Sequence, residues 1–110
     1  MKVTDKKAAD LFLARKPGKV SSNTEVIDRG DGVIALELFG NEIAWHYPDG
    51  RITVRTTVAS CTTHMRLNAL ARTLKVSWYA FKSKKRAYVE HNGVEYSECE
   101  HKEFVLRREG

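Results

Sequence analysis

The stretch Cys61-Thr-Thr-His-Met-Arg-Leu-Asn-Ala-Leu-Ala-Arg-Thr-Leu74 decides how the chain is read. Leu67, Leu70, Ala71 and Leu74 recur at i, i+3, i+4 and i+7, one apolar stripe at the period of an α-helix. A second face carries His64, Asn68, Arg72 and Lys75, so the helix is expected to turn one side to a core and another to something polar or anionic. On either side the period changes to two. Arg51-Ile-Thr-Val-Arg-Thr-Thr-Val58 alternates apolar and polar residues before the helix, and Val76-Ser-Trp-Tyr-Ala-Phe81 does so after it.

Working outward, the N-terminal half reads as a β-meander. Glu25–Arg29, Val33–Phe39, Ile43–Tyr47 and Arg51–Val58 are strands, with a two-residue hairpin turn at Gly40-Asn41 and a second turn at Pro48-Asp-Gly50. On the C-terminal side Val76–Phe81 and Ala87–His91 form a hairpin across Lys82–Arg86. Asn92-Gly93 joins that pair to Val94–Glu98, and Phe104–Leu106 adds a short last strand. Ahead of all this, Thr4 is positioned to cap a basic helix with Ala8, Leu11, Phe12 and Arg15 at helical spacing, ended by Pro17-Gly18. The expectation is one α+β domain over 1–110, with a basic arm at 1–22 and a core at 23–106. A sheet with one apolar face needs helices to cover it, and a small partly open β-barrel is the alternative.

The charge is segregated. The 110 residues hold 19 Lys and Arg against 14 Asp and Glu, a net charge of +5, yet residues 51–89 contain nine basic residues and no acid. The blocks 21–50 and 90–110 are acidic in balance. Lys75, Lys82, Lys84, Lys85 and Arg86 interleave with Trp78, Tyr79, Phe81 and Tyr88, the mixture with which single-strand binders combine phosphate neutralisation and base stacking. Alternation puts Trp78 with Val76 and Ala80 towards the core and Tyr79 with Phe81 on the other face. Asn68 and Arg72 are types that read base edges. No apolar run approaches the roughly 18 residues of a membrane span, and the basic start lacks the apolar segment of a secretion signal.

Two constellations suggest other chemistry. Cys61-x-x-His64 and Cys99-x-His101 supply thiols and imidazoles of the type that bind zinc, but one residue between two ligands in an extended segment lacks the turn that zinc modules use. Cys61 at a helix start, near His64 or His46, has the makings of a nucleophile, yet no orienting third residue, oxyanion loop or phosphate-cradling glycine motif accompanies it. The sequence therefore points away from an enzyme and calls for no cofactor.

Asn23-Thr-Glu-Val26, Leu38-Phe-Gly-Asn-Glu-Ile-Ala44, Pro48-Asp-Gly50, Ile52-Thr-Val54, Thr62-Thr63 and Arg66-Leu-Asn68 together resemble a group of small proteins encoded by tailed bacteriophages. The resemblance spans about residues 23–96. Where the relatives carry a glycine- and tryptophan-containing segment ahead of Thr62, this chain has Val58-Ala-Ser-Cys61. The resemblance implies a phage origin, hence the cytoplasm of an infected host, and no particular activity. The motif residues also have structural readings, with Thr62 or Thr63 as helix cap and Gly40-Asn41 and Asp49-Gly50 as turn formers.

The leading expectation is a non-enzymatic phage accessory protein that binds nucleic acid or a host nucleoprotein complex. The surface expected to do so comprises Arg66, Asn68, Arg72, Lys75, Tyr79, Lys82, Lys84, Lys85 and Arg86. The alternative is a protein-protein inhibitor of a host defence enzyme, such as a CRISPR or restriction complex, or of a transcription enzyme, acting through the N-terminal arm or the acidic block from Glu95 to Glu103. Cysteine- or zinc-dependent activity is the third reading. Open sheet edges also offer a contact for a homodimer.

Overall fold

The computed structural model describes residues 2–55, 61–83, 86–97 and 103–106. Its elements run α1 (Val3–Leu13), β1 (Gly18–Lys19), β2 (Thr24–Asp28), β3 (Ile34–Leu38), β4 (Asn41–His46), β5 (Ile52–Arg55), α2 (Cys61–Leu74), β6 (Trp78–Ser83), β7 (Arg86–His91), β8 (Val94–Ser97) and β9 (Glu103–Leu106). The strands form a six-stranded antiparallel sheet, β1-β2-β3-β4-β5-β9, and a three-stranded one, β6-β7-β8. The larger sheet stays open, with β1 and β9 at its edges, so the fold is α+β and the barrel alternative does not hold.

One core links these parts. Val26, Leu36, Ile43, Ala44, Ile52 and Val54 from the inner face of the large sheet meet Ala8, Ala9 and Phe12 of α1. Leu67, Leu70, Ala71 and Leu74 of α2 join them, and Trp78, Ala80 and Val89 close the cluster from the small sheet. Each buried leucine contributes about 1.5–3 kcal/mol by leaving water. The stripe read from the sequence is therefore the core face of α2. The opposite face differs from expectation: Thr63, His64, Arg66 and Ala69 are buried as well, because α1 packs on one flank and β6 on the other. Among the described side chains of α2, Arg72 alone is exposed. Both threonines proposed as caps lie inside the first turn.

α1 is docked, not a free arm. Its first turn has no side-chain cap, the backbone of Lys2 preceding it, and Arg15 beyond its end adopts a left-handed φ of 59°. The Arg15 guanidinium donates to the carbonyls of His46 (3.0 Å), Tyr47 (3.2 Å) and Gly32. Gly32 itself sits at φ +86°, with Pro48 so close that a Cβ would collide with its ring.

Two turns test the hairpin reading. Asn92 and Gly93 both have positive φ, as a type I′ turn requires. In the β3–β4 hairpin Leu38 pairs with Asn41, so the two turn residues are Phe39 (φ 53°) and Gly40 (φ 78°), one position earlier than expected. A bulky residue at positive φ is the less expected choice. It leaves the Phe39 ring in solvent at 69% exposure. In the β6–β7 hairpin Ser83 pairs with Arg86, so the strands extend further than the five-residue turn read from the sequence.

Candidate functional site

α1, α2 and β6 enclose a groove of about 310 Å³ lined by Lys2, Asp5, Met65, Asn68, Arg72 and Tyr79, together with Ala69. Three of the residues expected at the surface, Asn68, Arg72 and Tyr79, thus come together. Their states differ. Asn68 Nδ2 donates to the Ala80 carbonyl (2.9 Å) and its Oδ1 accepts from the Ala80 amide (2.7 Å). Its side chain imitates a strand partner for β6 and is engaged with the protein's own backbone, not poised to read a base. Arg72 and Lys2 are exposed at the groove's mouth, and Tyr79 is 57% exposed.

Arg66 is corrected outright as a surface residue. It is 6% exposed, its guanidinium pairs with Asp5 of α1, and its Nε donates to Thr24 Oγ1 at 3.2 Å. Thr24 in turn donates to Asn23 Oδ1 (2.7 Å), which also accepts from Ser21 Oγ (2.8 Å). The network ties α1, α2 and β2 together in a place where an unpaired charge would be very costly. Thr24 and Arg66, which belong to two separate sequence motifs, are direct partners.

Along β6 and β7 the aromatic residues form a ladder. Tyr79 and Phe81 alternate onto one face of the small sheet, and Phe81 stands opposite Tyr88 of β7. The rings lie nearly parallel: Tyr79–Phe81 centroids are 6.1 Å apart at 18°, and Phe81–Tyr88 are 5.5 Å apart at 17°. Trp78, Ala80 and Val89 occupy the other face and are buried, as alternation required. One end of the ladder meets the groove at Tyr79, where Glu90 is the cross-strand neighbour. The other leads to the Ser83–Arg86 pair. Lys82 pairs with Ala87 and Arg86 with Ser83 along the backbone, but the side chains of Lys82 and Arg86 are outside the described structure, and Lys84 and Lys85 are outside the described residues. Lys75 is exposed, in a left-handed conformation just past α2, and does not line the groove.

A second polar hollow, of about 490 Å³, was not anticipated. It lies on the outer face of the large sheet and is lined by Arg29, Gly40, Asn41, Glu42, Trp45, Tyr47 and Arg55. The signal was available: the Pro48–Gly50 turn sets Trp45 opposite Thr53, which makes Arg55 its diagonal neighbour.

His46 has its pKa lowered, chiefly by burial and further by the Arg15 charge, against the opposing effect of the Phe12 carbonyl, 3.3 Å from its Nδ1. It lies beside Phe12 on the inner side of the sheet and lines neither of these two sites. No group of three or more metal-ligating side chains occurs among the described residues. Cys99 and His101 lie outside those residues, as does the Cys61 side chain. No described helix is long and apolar enough to cross a membrane.

No curated protein and no solved structure matches the chain. A family model described as Kyanoviridae Gp96 protein matches residues 1–107, a span that takes in the N-terminal helix as well as the segment carrying the phage resemblance. The chain belongs to this family of bacteriophage proteins.

Proposed function

We propose that the protein is a non-enzymatic phage accessory protein that binds single-stranded nucleic acid, free or within a host nucleoprotein, along the ladder face of its small sheet. The observation that carries this reading is the row of three near-parallel rings, open at Tyr79, beside the exposed cations Arg72 and Lys2. A base is a flat π-surface, and stacking on an aromatic side chain is worth about 1–3 kcal/mol per base without regard to sequence. Backbone phosphates passing the groove would meet Arg72 and Lys2. Glu90, opposite Tyr79, makes the strand side of that ring unfavourable for phosphate and favours a path over α2.

The test is fluorescence anisotropy with labelled deca-thymidylate and deca-uridylate over a salt series. Tyr79→Ala is expected to weaken binding about tenfold at unchanged melting temperature, as expected for loss of one stacked base. Arg72→Ala is expected to reduce the salt dependence by about one phosphate contact. Absence of binding by the wild-type chain, or equal binding by Tyr79→Ala, would remove the ladder as the interface.

A further inference from the structure

The groove between α1, α2 and β6 has a lining of three kinds below its cationic mouth. Met65 and Ala69 make part of it apolar, Tyr79 makes part of it aromatic, and Asp5, only 2% exposed, brings a carboxylate. One oxygen of that carboxylate is committed to the fold: Oδ1 takes the Arg66 guanidinium. Oδ2 has no hydrogen-bond partner among the described residues. Arg66 does not line the groove, so the oxygen turned away from it is the one the groove reaches. A buried ion pair is favourable only when the remaining lone pairs of its carboxylate are met as well, and an ionised carboxylate accepts hydrogen bonds without donating any. The groove therefore calls for a donor. Its volume, about 310 Å³, is at the lower end of small-ligand sites, about 300–1,000 Å³, which is room for one flat heterocycle and not for a folded strand.

We propose that the groove reads one nucleobase, and that Asp5 Oδ2 selects bases bearing an exocyclic amine, namely cytosine, adenine and guanine, over thymine and uracil. The inference rests on the ladder reading, since a strand that stacks at Tyr79 and crosses α2 brings a base to the groove. Cytosine, adenine and guanine each carry an amino group whose hydrogen is free to point at a carboxylate oxygen. Uracil and thymine offer only the ring N–H, flanked on both sides by carbonyl oxygens that a carboxylate repels. Single-stranded bases are generally read in this way, stacked on an aromatic ring and hydrogen-bonded along the Watson–Crick edge. A site with a buried hydrogen-bonding group also rejects the analogue that fails to satisfy it, because the group is left unpaired. Tyr79 then supplies affinity without regard to sequence, and Asp5 determines the choice of base.

The probes are fluorescein-labelled deca-deoxycytidylate and deca-deoxyuridylate, whose bases differ only in the 4-substituent and the ring N–H. Each is titrated near neutral pH against the wild-type chain, Tyr79→Ala and Met65→Trp. Met65 is half-buried, and a tryptophan there fills the groove while leaving Asp5 and Arg66 in place. Asp5→Asn would instead leave the buried Arg66 without its anion. Folding is checked by melting temperature, with Met65→Phe as the substitute if Met65→Trp melts early. The wild-type chain is expected to bind deca-deoxycytidylate about tenfold more tightly, as one hydrogen bond to a charged group provides. Met65→Trp is expected to bind both oligonucleotides equally, with the wild-type affinity for deca-deoxyuridylate. Three outcomes overturn the base-reading groove: equal affinity of the wild-type chain for the two probes, a preference for deca-deoxyuridylate, or a deca-deoxycytidylate preference undiminished in Met65→Trp. The ladder reading survives any of these if Tyr79→Ala still weakens binding of both probes. Failure of the wild-type chain to bind either probe, or binding of both unaffected by Tyr79→Ala, overturns the two readings together.

Discussion

The two solvent-facing sheet surfaces contain the same kinds of residue and arrange them oppositely. On the small sheet the cross-strand partner of Phe81 is Tyr88, so ring stacks on ring and the last ring, Tyr79, is left open. On the large sheet the neighbours of Trp45 and Tyr47 are Arg55 and Arg51, so cation covers ring. The difference is one of register and not of composition: both surfaces include residues of the acid-free stretch 51–89. An exposed aromatic is suited to a flat partner, whereas an arginine lying over a ring occupies that flat surface. Basic composition alone does not distinguish these arrangements.

The largest expected effect breaks both surfaces at once, because both rest on α2. Arg66→Ala leaves Asp5 buried without its cation and removes the donor to Thr24. We expect a loss of about 3–5 kcal/mol in urea denaturation, enough to unfold a marginal domain. Arg72→Ala, six residues along the same helix and exposed, is expected to stay within about 0.5 kcal/mol of wild type. Two arginines that look equivalent in the sequence would then differ in stability by several kcal/mol. Similar midpoints for the two variants would contradict the buried pair.

A smaller effect separates the surfaces. Asn68 makes two hydrogen bonds to Ala80 of β6 and none to the large sheet, so Asn68→Ala strands a buried amide and carbonyl beneath the ladder. The expected cost is about 1–3 kcal/mol. It should be accompanied by faster amide exchange in Trp78–Ser83 and Arg86–His91, while Ile34–Leu38 and Asn41–His46 exchange as before. Uniform acceleration through both sheets would mean that the small sheet has no separate cooperativity.

These contrasts also mark what the sequence disclosed. The bounds of α2, its core stripe, the Asn92-Gly93 hairpin and the inward turn of Trp78 were all legible, because each follows from local period or turn chemistry. The burial of His64, Arg66 and Asn68's engagement with Ala80 were not, because a 3.6-residue period tells which face is apolar and not that a second sheet closes over the other one. β1 escaped notice as a two-residue edge strand following Pro17. β9 pairs with β5 across nearly fifty residues, a partnership no local signal encodes. For the proposed binding surface, Tyr79 and Arg72 were found together because alternation and helical spacing both mark exposed positions. The arginine–aromatic pairs were missed because they exist only across strands and emerge only when the Pro48–Gly50 turn is used to set the register of β4 against β5.

The smallest effect concerns the inner side of the large sheet, and its sign follows from the environment of His46. Burial, reinforced by the nearby Arg15 cation, holds the His46 pKa below its ordinary 6.5, so the unfolded chain takes up this proton more readily than the folded one. Stability from this group is present in full above 6.5 and falls as the pH drops below it, levelling off once the folded-state pKa is passed. Protonation would also set a second positive charge beside Arg15, whose guanidinium clamps α1 to the His46 and Tyr47 carbonyls. Melting temperatures measured between about pH 7.5 and pH 5 should therefore fall more for wild type than for His46→Gln, which cannot titrate. Because His64, His91 and His101 are common to both chains, only the difference between the two curves reports on His46. Amide exchange near pH 5 should quicken first in Ile34–Leu38 and Asn41–His46, leaving β6 and β7 unchanged. Parallel melting curves for the two chains would show that acid acts elsewhere and that the α1 clamp is indifferent to the charge of its neighbour.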